Sequence, residues 1–417
     1  MRVQANSSFG DAPAESDLQP ERSSTRVEVV RDAESLRRVL PAWEDLVSHA
    51  LEPNPLYEPW MLLPALGTRA AKDFFCVLVW TCDPGSPEAG SQLGGLFPLQ
   101  RLPRFMRLPV TALSSWCHSS WPLGTPLIRK LKARQCLEAL LGWVRANGER
   151  ASLVEFACVP CDGPFHGALA DVLRRHDSTA VTSLSFTRAL LRKGSDGASH
   201  AQGAPSRELR KSLRRKERRL SERGAVSHRV LHAEDDVGRW IDDFLRLEAS
   251  GWKGRRGTAL ACSEEDRRFA VEMLAGAFRR GRLQIVGLDF EGRPIARCCN
   301  LLTGQGSYAY RCAYDEDFAD FSPGVMAEVD SIRQFDALPG VQWMDSVTDP
   351  DNATLNRLWS DRRAIQSVLV GLGAWGGLWA SVLPLLRWAK RCSSALAARN
   401  PANSRRLQQG RARLEGS

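Results

Sequence analysis

The sequence predicts an α/β protein, with mixed sheets and flanking helices, arranged as two tandem domains of one kind. Segments with strand-like alternation and segments with helical periodicity follow each other along most of the chain. This order of elements occurs over about 26–192 and again over 206–371, without an obvious sequence repeat. A chain of 417 residues is also long enough for two domains of ordinary size.

The composition is that of a globular protein with a basic surface. Hydrophobic residues make up 43% of the chain and charged residues 25%, and the net charge is +9. The positive excess lies mainly near 207–223 and after Arg387. Such clusters favour an anionic partner, namely a nucleotide cofactor, nucleic acid or a membrane surface, although solvated helix faces give the same pattern.

The N-terminus and the cysteines predict a cytoplasmic protein. The first residues show no basic stretch followed by an apolar one, so no secretory signal is predicted. Eleven cysteines are scattered without a regular framework, which suits a reducing compartment. Cys158 and Cys161 form a C-x-x-C motif, but no second pair stands at zinc-like spacing. We therefore predict no metal site.

Composition shifts divide the chain into five segments. The best boundary is the low-complexity stretch GSDGASHAQGAPS, which is typical of a linker. The predicted segments are a disordered polar tail (1–25), a first domain (26–193), a linker (194–206), a second domain (207–371), and an apolar helix with a basic tail (372–417).

Each domain has its own predicted elements. The first contains a helix from Asp32 to about His49, a hairpin of strands (73–80 and 93–100), helices over 131–147 and 164–175, and a strand near 182–191. The second contains the basic helix RELRKSLRRKERRLSERGAV, a meander of three strands, a helix near 324–337, the strand VQWMDSVT, the short helix NATLNRLW and the strand AIQSVLVGL.

Three of the four tyrosines lie in the last strand of the meander. Tyr308, Tyr310, Cys312 and Tyr314 alternate along it, so regular strand geometry places them on one face. Such a face can pack against the neighbouring strands, or it can form a polar wall beside a substrate.

After this strand, the Ser322-Pro323-Gly324 sequence predicts the start of a helix. Ser322 is a suitable N-cap, and Pro323 fits the first helical position. Gly324 lets a ligand approach the backbone closely. The free N–H groups of the first turn and the helix dipole attract anions. The stretch is thus a capped helix start that is also compatible with an anion site.

Three stretches of the second half carry a family resemblance. They are RELRKSLRRKERRLSERGAV, LRLEASGWKGRRGTAL and YAYRCAYDEDFADFSPG. Together with the meander, they resemble a GNAT-type acyltransferase, more closely the CelD/BcsL-like acetyltransferases, whose fold is similar to that of the Fem-type aminoacyl transferases. The first half resembles this family in its order of elements and in NPLYEPWM.

The resemblance implies a donor site and a reaction. The donor is acetyl-CoA or another acyl-CoA, and no metal is needed. An amine or hydroxyl acceptor, which the sequence does not identify, attacks the thioester directly. The residues implied to hold the pyrophosphate of coenzyme A are Ala319, Asp320, Phe321, Ser322, Gly324 and Val325.

The resemblance also directs attention to candidate catalytic residues. Glu248, Asp315 and Asp345 are the carboxylates best placed to serve as a base. Trp359 stands where many superfamily members have a tyrosine that protonates the leaving thiolate, so Tyr314, Tyr310 or water would take that role. Tyr310 is also expected at the substrate, together with Trp252 and Lys253.

Three alternatives stay open. A Fem-type transferase would take aminoacyl-tRNA and bind it through the basic helix, and that helix could also serve a nucleic-acid-binding protein. A third reading is a non-catalytic scaffold in contact with a membrane. Residues 372–391 are compatible with a packing helix or a peripheral membrane anchor, and the uncharged stretch from Val368 to Leu386 is also compatible with a membrane span.

Overall fold

The structure is a computed structural model that describes residues 25–82, 91–106, 108–118, 121–146, 148–176, 178–193, 206–373 and 375–382. The predicted disordered tail (except Thr25), nearly all of the linker and the basic C-terminal tail lie outside these residues. The domain boundaries placed there remain predictions.

The first half alternates strands and helices. Its elements are β1 (Thr25–Val30), α1 (Ala33–Arg38), α2 (Leu40–Ser48), α3 (Pro59–Ala65), β2 (Phe74–Thr81), β3 (Gln92–Leu102), β4 (Ala112–Ser115), β5 (Leu127–Ile128), α4 (Ala133–Arg145), β6 (Leu153–Pro160), α5 (Pro164–Arg175) and β7 (Ala180–Arg192). One predicted helix is split into α1 and α2, because Pro41 cannot donate a backbone hydrogen bond and therefore starts a new helix.

The second half repeats this order. Its elements are α6 (Arg207–Ser221), β8 (Val226–Val230), α7 (Val237–Ser250), α8 (Trp252–Arg255), α9 (Glu264–Arg279), β9 (Leu283–Phe290), β10 (Arg293–Thr303), β11 (Gly306–Tyr314), α10 (Pro323–Ala337), β12 (Trp343–Asp345), α11 (Ala353–Leu358) and β13 (Asp361–Gly371). The basic helix α6 has one apolar face, because Leu209, Leu213 and Leu220 are buried.

All thirteen strands of the described residues belong to one mixed sheet. Twelve run in the order β1-β2-β3-β4-β6-β13-β7-β12-β11-β10-β9-β8, and β5 pairs with β3. Most neighbours are antiparallel, whereas β4–β6 and β11–β12 are parallel. Helices cover the sheet, so the predicted mixed α/β fold with flanking helices is confirmed.

The two halves exchange strands at the centre of the sheet. β13, from the end of the second half, lies between β6 and β7 of the first half. β7 in turn pairs with β12 of the second half. Each half is therefore completed by a strand of the other. The order of elements alone does not reveal this exchange.

A buried charge cluster crosses the exchange. Asp345, at the end of β12, is fully buried and forms an ion pair of 2.6 Å with Arg188 of β7. It also accepts hydrogen bonds from Arg363 of β13 at 3.2 Å and from the N–H of Val347 at 2.9 Å. Burial opposes its charge, but the two guanidinium groups hold the pKa of Asp345 below its ordinary value. This candidate base thus links the two halves.

A β-bulge overturns the prediction that the tyrosines share one face. The register between β10 and β11 shifts between Cys299 and Asn300, so Tyr310 is an extra residue on β11. Tyr308 and Tyr310 belong to the core on one side of the sheet, and Cys312 and Tyr314 pack on the other side. A strict alternation cannot continue through an inserted residue.

The C-terminal apolar segment is partly described. Among the described residues, no helix is both long enough and apolar enough to span a bilayer. The remainder of the predicted 372–391 helix, from 383 onward, lies outside them.

Candidate functional site

A pocket of about 340 Å³ opens where β11 and β12 separate. The two strands pair in parallel only from Gly306 opposite Trp343 to Tyr308 opposite Asp345. β11 then continues to Tyr314, whereas the chain after Asp345 leaves the sheet. The pocket is lined by parts of 252–253, 299–300, 309–314, 319–328 and 348–355.

The start of α10 forms one wall of this pocket. A short 3₁₀ helix, Glu316–Phe321, leads into Ser322, which has a left-handed conformation with φ 57°. Pro323 occupies the first turn, as predicted. Ser322 holds the N-cap position, but its side chain makes no capping hydrogen bond and instead accepts one of 2.7 Å from Lys216. Pro323 has no N–H, and the N–H groups of Val325 and Met326 both donate to the Ser322 carbonyl at 3.1 Å. Among the described residues of the first turn, the N–H of Gly324 is thus left for another partner.

Gly324 is required by a neighbouring side chain. A Cβ atom at this position would lie 2.9 Å from Cδ1 of Tyr314. The missing side chain thus lets the tyrosine ring lie against the start of α10. Both residues line the pocket, so the glycine also sets its width at this point.

The basic helix α6 packs beside the start of α10. Besides the contact of Lys216 with Ser322, the guanidinium groups of Arg219 and Arg223 lie 5.8 and 4.8 Å from the ring centre of Phe321. These cations raise the positive potential near the α10 N-terminus, in the same direction as the helix dipole. Sequence reasoning did not identify which basic residues approach this loop.

A histidine bridge holds α6 and α10 together. Nε2 of His228, on β8, lies 2.9 Å from Glu217 of α6, and its Nδ1 contacts Asp330 of α10. The hydrogen bond to Asp330 raises the pKa of His228 to about 9, although burial opposes this. The imidazole is therefore charged at neutral pH.

We expect this bridge to make stability depend on pH. The folded pKa is raised, so the stabilisation is complete below the ordinary histidine pKa and is lost as pH rises through about 9. Because the ring is partly exposed, His228→Gln should cost only about 1 kcal/mol at neutral pH. Urea unfolding of both proteins across this range checks the prediction, and the curves should converge above about pH 9.5. An equal difference at every pH would contradict it.

A second charge cluster joins Glu248 to Lys253 and Arg311, two residues that line the pocket. Glu248 of α7 is buried and accepts hydrogen bonds from Lys253 at 3.1 Å, from the N–H of Leu260 at 2.8 Å, and from Arg311 of β11. Burial alone would raise the pKa of Glu248, but the charges of Arg311 and Lys253 hold it below its ordinary value. Burial lowers the pKa of Lys253, against the opposing effect of Glu248.

The stretch that begins at Trp252 forms the short helix α8, which is tied to the 3₁₀ helix Glu316–Phe321. The N–H of Trp252 donates to Glu316 at 2.8 Å, and Arg255 forms an ion pair with the same carboxylate at 2.6 Å. Trp252 is 45% exposed, and both it and Lys253 line the pocket. These contacts hold α8 against the segment that leads into α10.

Most predicted donor and substrate residues lie around one cavity, but the predicted bases do not. The predicted residues that line the pocket are Trp252, Lys253, Tyr310, Tyr314, Ala319, Ser322, Gly324 and Val325. Asp320 is exposed, and Phe321 is buried against the arginines of α6. Asp315 caps the 3₁₀ helix through the N–H of Asp317 and pairs with Arg293. Glu248, Asp315 and Asp345 are absent from the described lining of the pocket.

Sequence reasoning missed Glu328, the one carboxylic acid among the described lining residues. It is 7% exposed, and its Oε2 accepts no hydrogen bond from the described residues. Burial raises its pKa to about 7. Its helical position gives a signal, because Gly324, Glu328, Ser331 and Phe335 follow the buried face of α10. A carboxyl group on a buried helix face is costly unless it has a partner, so it marks a candidate functional residue.

Glu328 faces a pair of cysteines. Cys298 of β10 and Cys312 of β11 stand opposite each other, with Cα atoms 4.0 Å apart, and form a disulfide. Their sulfur atoms and a carboxylate oxygen of Glu328 lie within 4.8 Å of one another. Cys298 is buried, and its cross-strand bond was not predicted, because the bulge determines which residue of β11 it meets.

The second half of the chain matches a known protein family. Residues 207–353 match the family described as "Acetyltransferase (GNAT) domain". This stretch contains α6, the meander and α10, so the resemblance of these elements to GNAT acetyltransferases is confirmed, whereas the CelD/BcsL-like branch remains a prediction. No curated protein matches the chain.

Several solved structures are similar to the whole arrangement. The crystal structure of FemX matches with a TM-score of 0.50 and 10% identity, over 78% of this chain and 95% of that chain. The C-terminal domain of a putative lysylphosphatidylglycerol synthetase from Agrobacterium fabrum gives 0.47 and 13%, over 83% and 97%. A tandem GNAT protein from the clavulanic acid biosynthesis pathway gives 0.40 and 14%, over 82% and 98%. At such identity, the similarity to FemX shows the fold alone.

Proposed function

We propose that the protein is an acyltransferase that moves an acyl group from acyl-CoA, with acetyl-CoA the first candidate, to an amine or hydroxyl acceptor. The observation that carries this proposal is the pocket between β11 and 348–355, which begins at the N-terminus of α10. The family match over residues 207–353 includes both walls of this pocket nearly completely.

The segment from Glu316 to the start of α10 has features that favour the binding of a pyrophosphate. The N–H of Gly324 and the helix dipole at the start of α10 attract an anion. Lys216 lies 2.7 Å from Ser322 Oγ at the same helix end and can contact a phosphate oxygen directly. The aspartates of the loop do not oppose this, because Asp320 is exposed to solvent and does not line the pocket.

The remainder of the donor would follow the gap in the sheet. β11 has no strand partner on this side beyond Tyr308, so its backbone groups are open to an extended ligand chain. The bulge at Tyr310 turns the strand at the inner part of the pocket. We therefore place the thioester near Tyr310, with the pantetheine arm alongside Cys312 and Tyr314.

The acceptor would enter from the side of Trp252 and Lys253. A bond forms between its nitrogen or oxygen and the carbonyl carbon, and the C–S bond breaks. The acceptor releases its proton to water, and the leaving thiolate takes up a proton from water. Lys253 is the cation best placed to stabilise the developing oxyanion, and Glu248 keeps it oriented through their 3.1 Å contact. In this scheme Glu248 is a positioning residue, because a carboxylate paired with two cations is a weak base.

Coenzyme A should stabilise the folded protein by mass action. At about 100 times its dissociation constant, it should add about 2.7 kcal/mol to the free energy of unfolding. Lys216→Gln should reduce its affinity about tenfold, because one charged contact to a phosphate is lost. Lys211→Gln is the matched control, since Lys211 is an exposed residue of the same helix. Thermal unfolding with increasing coenzyme A measures both effects, and no shift at high ligand excess would rule out this donor.

A Fem-type transferase is the second candidate. The observation that favours it is the position of α6, whose basic residues continue from the start of α10 onto the exposed surface. Aminoacyl-tRNA would then occupy the pocket with its acylated end and contact α6 with its backbone. Binding of tRNA that weakens steeply with salt, without any binding of coenzyme A, would favour this candidate over the first.

A further inference from the structure

The buried acid Glu328 has no use in the scheme above, although it lines the same pocket. It is 7% exposed, and its Oε2 accepts no hydrogen bond from the described part of the chain. Leaving such a group unsatisfied is costly, so its position indicates a partner that is absent from the free protein.

The position of Glu328 relative to Gly324 indicates which part of a ligand it meets. The two residues are one helical turn apart on α10, which corresponds to a rise of about 6 Å. Both line the pocket, and the sulfur of Cys312 lies within 4.8 Å of a carboxylate oxygen of Glu328, so the three residues form one wall. A donor whose pyrophosphate lies at the start of α10 and whose thioester lies near Tyr310 must pass its pantetheine arm along this wall. That arm carries amide groups.

We propose that Glu328, as a neutral carboxylic acid, donates a hydrogen bond to an amide carbonyl of the donor's pantetheine arm. This inference rests on the proposed acyl-CoA donor and adds a specific contact to it. The contact satisfies the buried carboxyl group and fixes the depth to which the arm enters the pocket. It requires the acid form, since a carboxylate cannot donate.

The surroundings of Glu328 favour the acid form. β10 and β11 present the Cys298–Cys312 disulfide, which does not titrate, and β9 presents apolar side chains. The phenols that line the pocket are those of Tyr310 and Tyr314, both on β11. The two cations that line the pocket, Lys253 and Arg311, are both paired with Glu248.

The other acid on the same helix is also neutralised. Asp330 is held by His228 and by Arg333 at 2.7 Å. Burial is therefore the dominant influence on Glu328, and it raises the pKa to about 7. Glu328 is therefore a neutral acid below about pH 7 and a carboxylate above it. The affinity for the donor should then depend on pH in a way that can be measured.

Calorimetric titration of the full chain with desulfo-coenzyme A tests this inference, because this probe has no thiol to ionise. Glu328→Gln keeps a hydrogen-bond donor at every pH, and Glu328→Leu removes it. Relative to Glu328→Gln, the wild-type affinity should fall about tenfold between about pH 6 and pH 8. Glu328→Leu should bind about tenfold more weakly than wild type at about pH 6.

Two controls keep the result interpretable. Glu272→Gln changes an exposed carboxylate of α9 and should follow the wild-type pH profile. Circular dichroism and thermal unfolding should show that each variant is folded, and removal of an unsatisfied buried acid should not destabilise the protein. Any titration of the ligand's own phosphates is shared by all variants and cancels in the comparison.

Three results would overturn the inference. Equal affinities of wild type, Glu328→Gln and Glu328→Leu at all pH values would show that Glu328 does not contact the arm. A wild-type affinity that rises with pH relative to Glu328→Gln would show that the carboxylate accepts a hydrogen bond instead. In both cases the acyl-CoA donor would stand. No binding of the probe to wild type would overturn the proposed donor together with this contact.

Discussion

Replacement of Arg188 by methionine is expected to lower the free energy of unfolding by about 3–5 kcal/mol. Arg188 is fully buried, pairs with the equally buried Asp345, and donates a 2.8 Å hydrogen bond to the carbonyl of Pro122. Without Arg188, Asp345 keeps one guanidinium partner, Arg363, in a site from which water is excluded. A charge left only partly compensated in such a site is strongly destabilising.

Two further variants separate this effect from a general loss of charge. Arg192→Met changes another arginine of β7, whose ion pair with Asp162 is exposed, and should cost no more than about 1 kcal/mol. Arg188→Met combined with Asp345→Leu should recover part of the lost stability, because both partners are then apolar.

Equilibrium urea unfolding of these variants also tests the strand exchange. Because Arg188 and Asp345 come from different halves, their loss should lower the stability of both halves together in one transition. A cost below about 1 kcal/mol, or unfolding of one half alone, would contradict the buried pair as a link between the halves.

Gly324→Val is expected to weaken the binding of coenzyme A by at least about a hundredfold. Its Cβ would lie 2.9 Å from the Tyr314 ring, so the ring must move toward the pocket. The added methyl groups would stand beside the N–H of residue 324, which we assign to the pyrophosphate. The packing conflict should also cost about 1–3 kcal/mol of stability, which leaves the protein folded.

The matched control for this change is Gly142→Val. Gly142 lies in α4, and a Cβ there would meet no atom within 4 Å. This variant should keep wild-type affinity and stability. Calorimetric titration of both variants with coenzyme A gives the comparison, and wild-type affinity in folded Gly324→Val would move the phosphate site away from α10.

Local sequence signals predicted the start of α10 well. Pro323 fits only where its missing N–H costs nothing, and this placed the helix boundary correctly. The capping role of Ser322 could not be judged in the same way. Its left-handed backbone and its contact with Lys216 depend on α6, which is about a hundred residues away in sequence. The conformational propensity of a residue reflects its near neighbours in sequence, so it does not reveal a partner as distant as Lys216.

The remaining differences between the sequence predictions and the structure arise from contacts between residues that are far apart in sequence. The bulge at Tyr310 is set by the register with β10, and this register divided the predicted tyrosine face between the two sides of the sheet. Asp345 was recognised as a candidate because it ends a strand, but its partner Arg188 is 157 residues away. Glu328 had a local signal, an acid on the buried face of a helix, and attention to periodicity would have found it.

The most direct measurement of the central claim is a structure of the protein with coenzyme A bound. We predict that the pyrophosphate lies within hydrogen-bond distance of the N–H of Gly324, with Lys216 beside it. The pantetheine arm should pass Glu328 in the gap between β11 and 348–355. A pyrophosphate bound elsewhere, or an empty pocket at saturating ligand, would contradict this account.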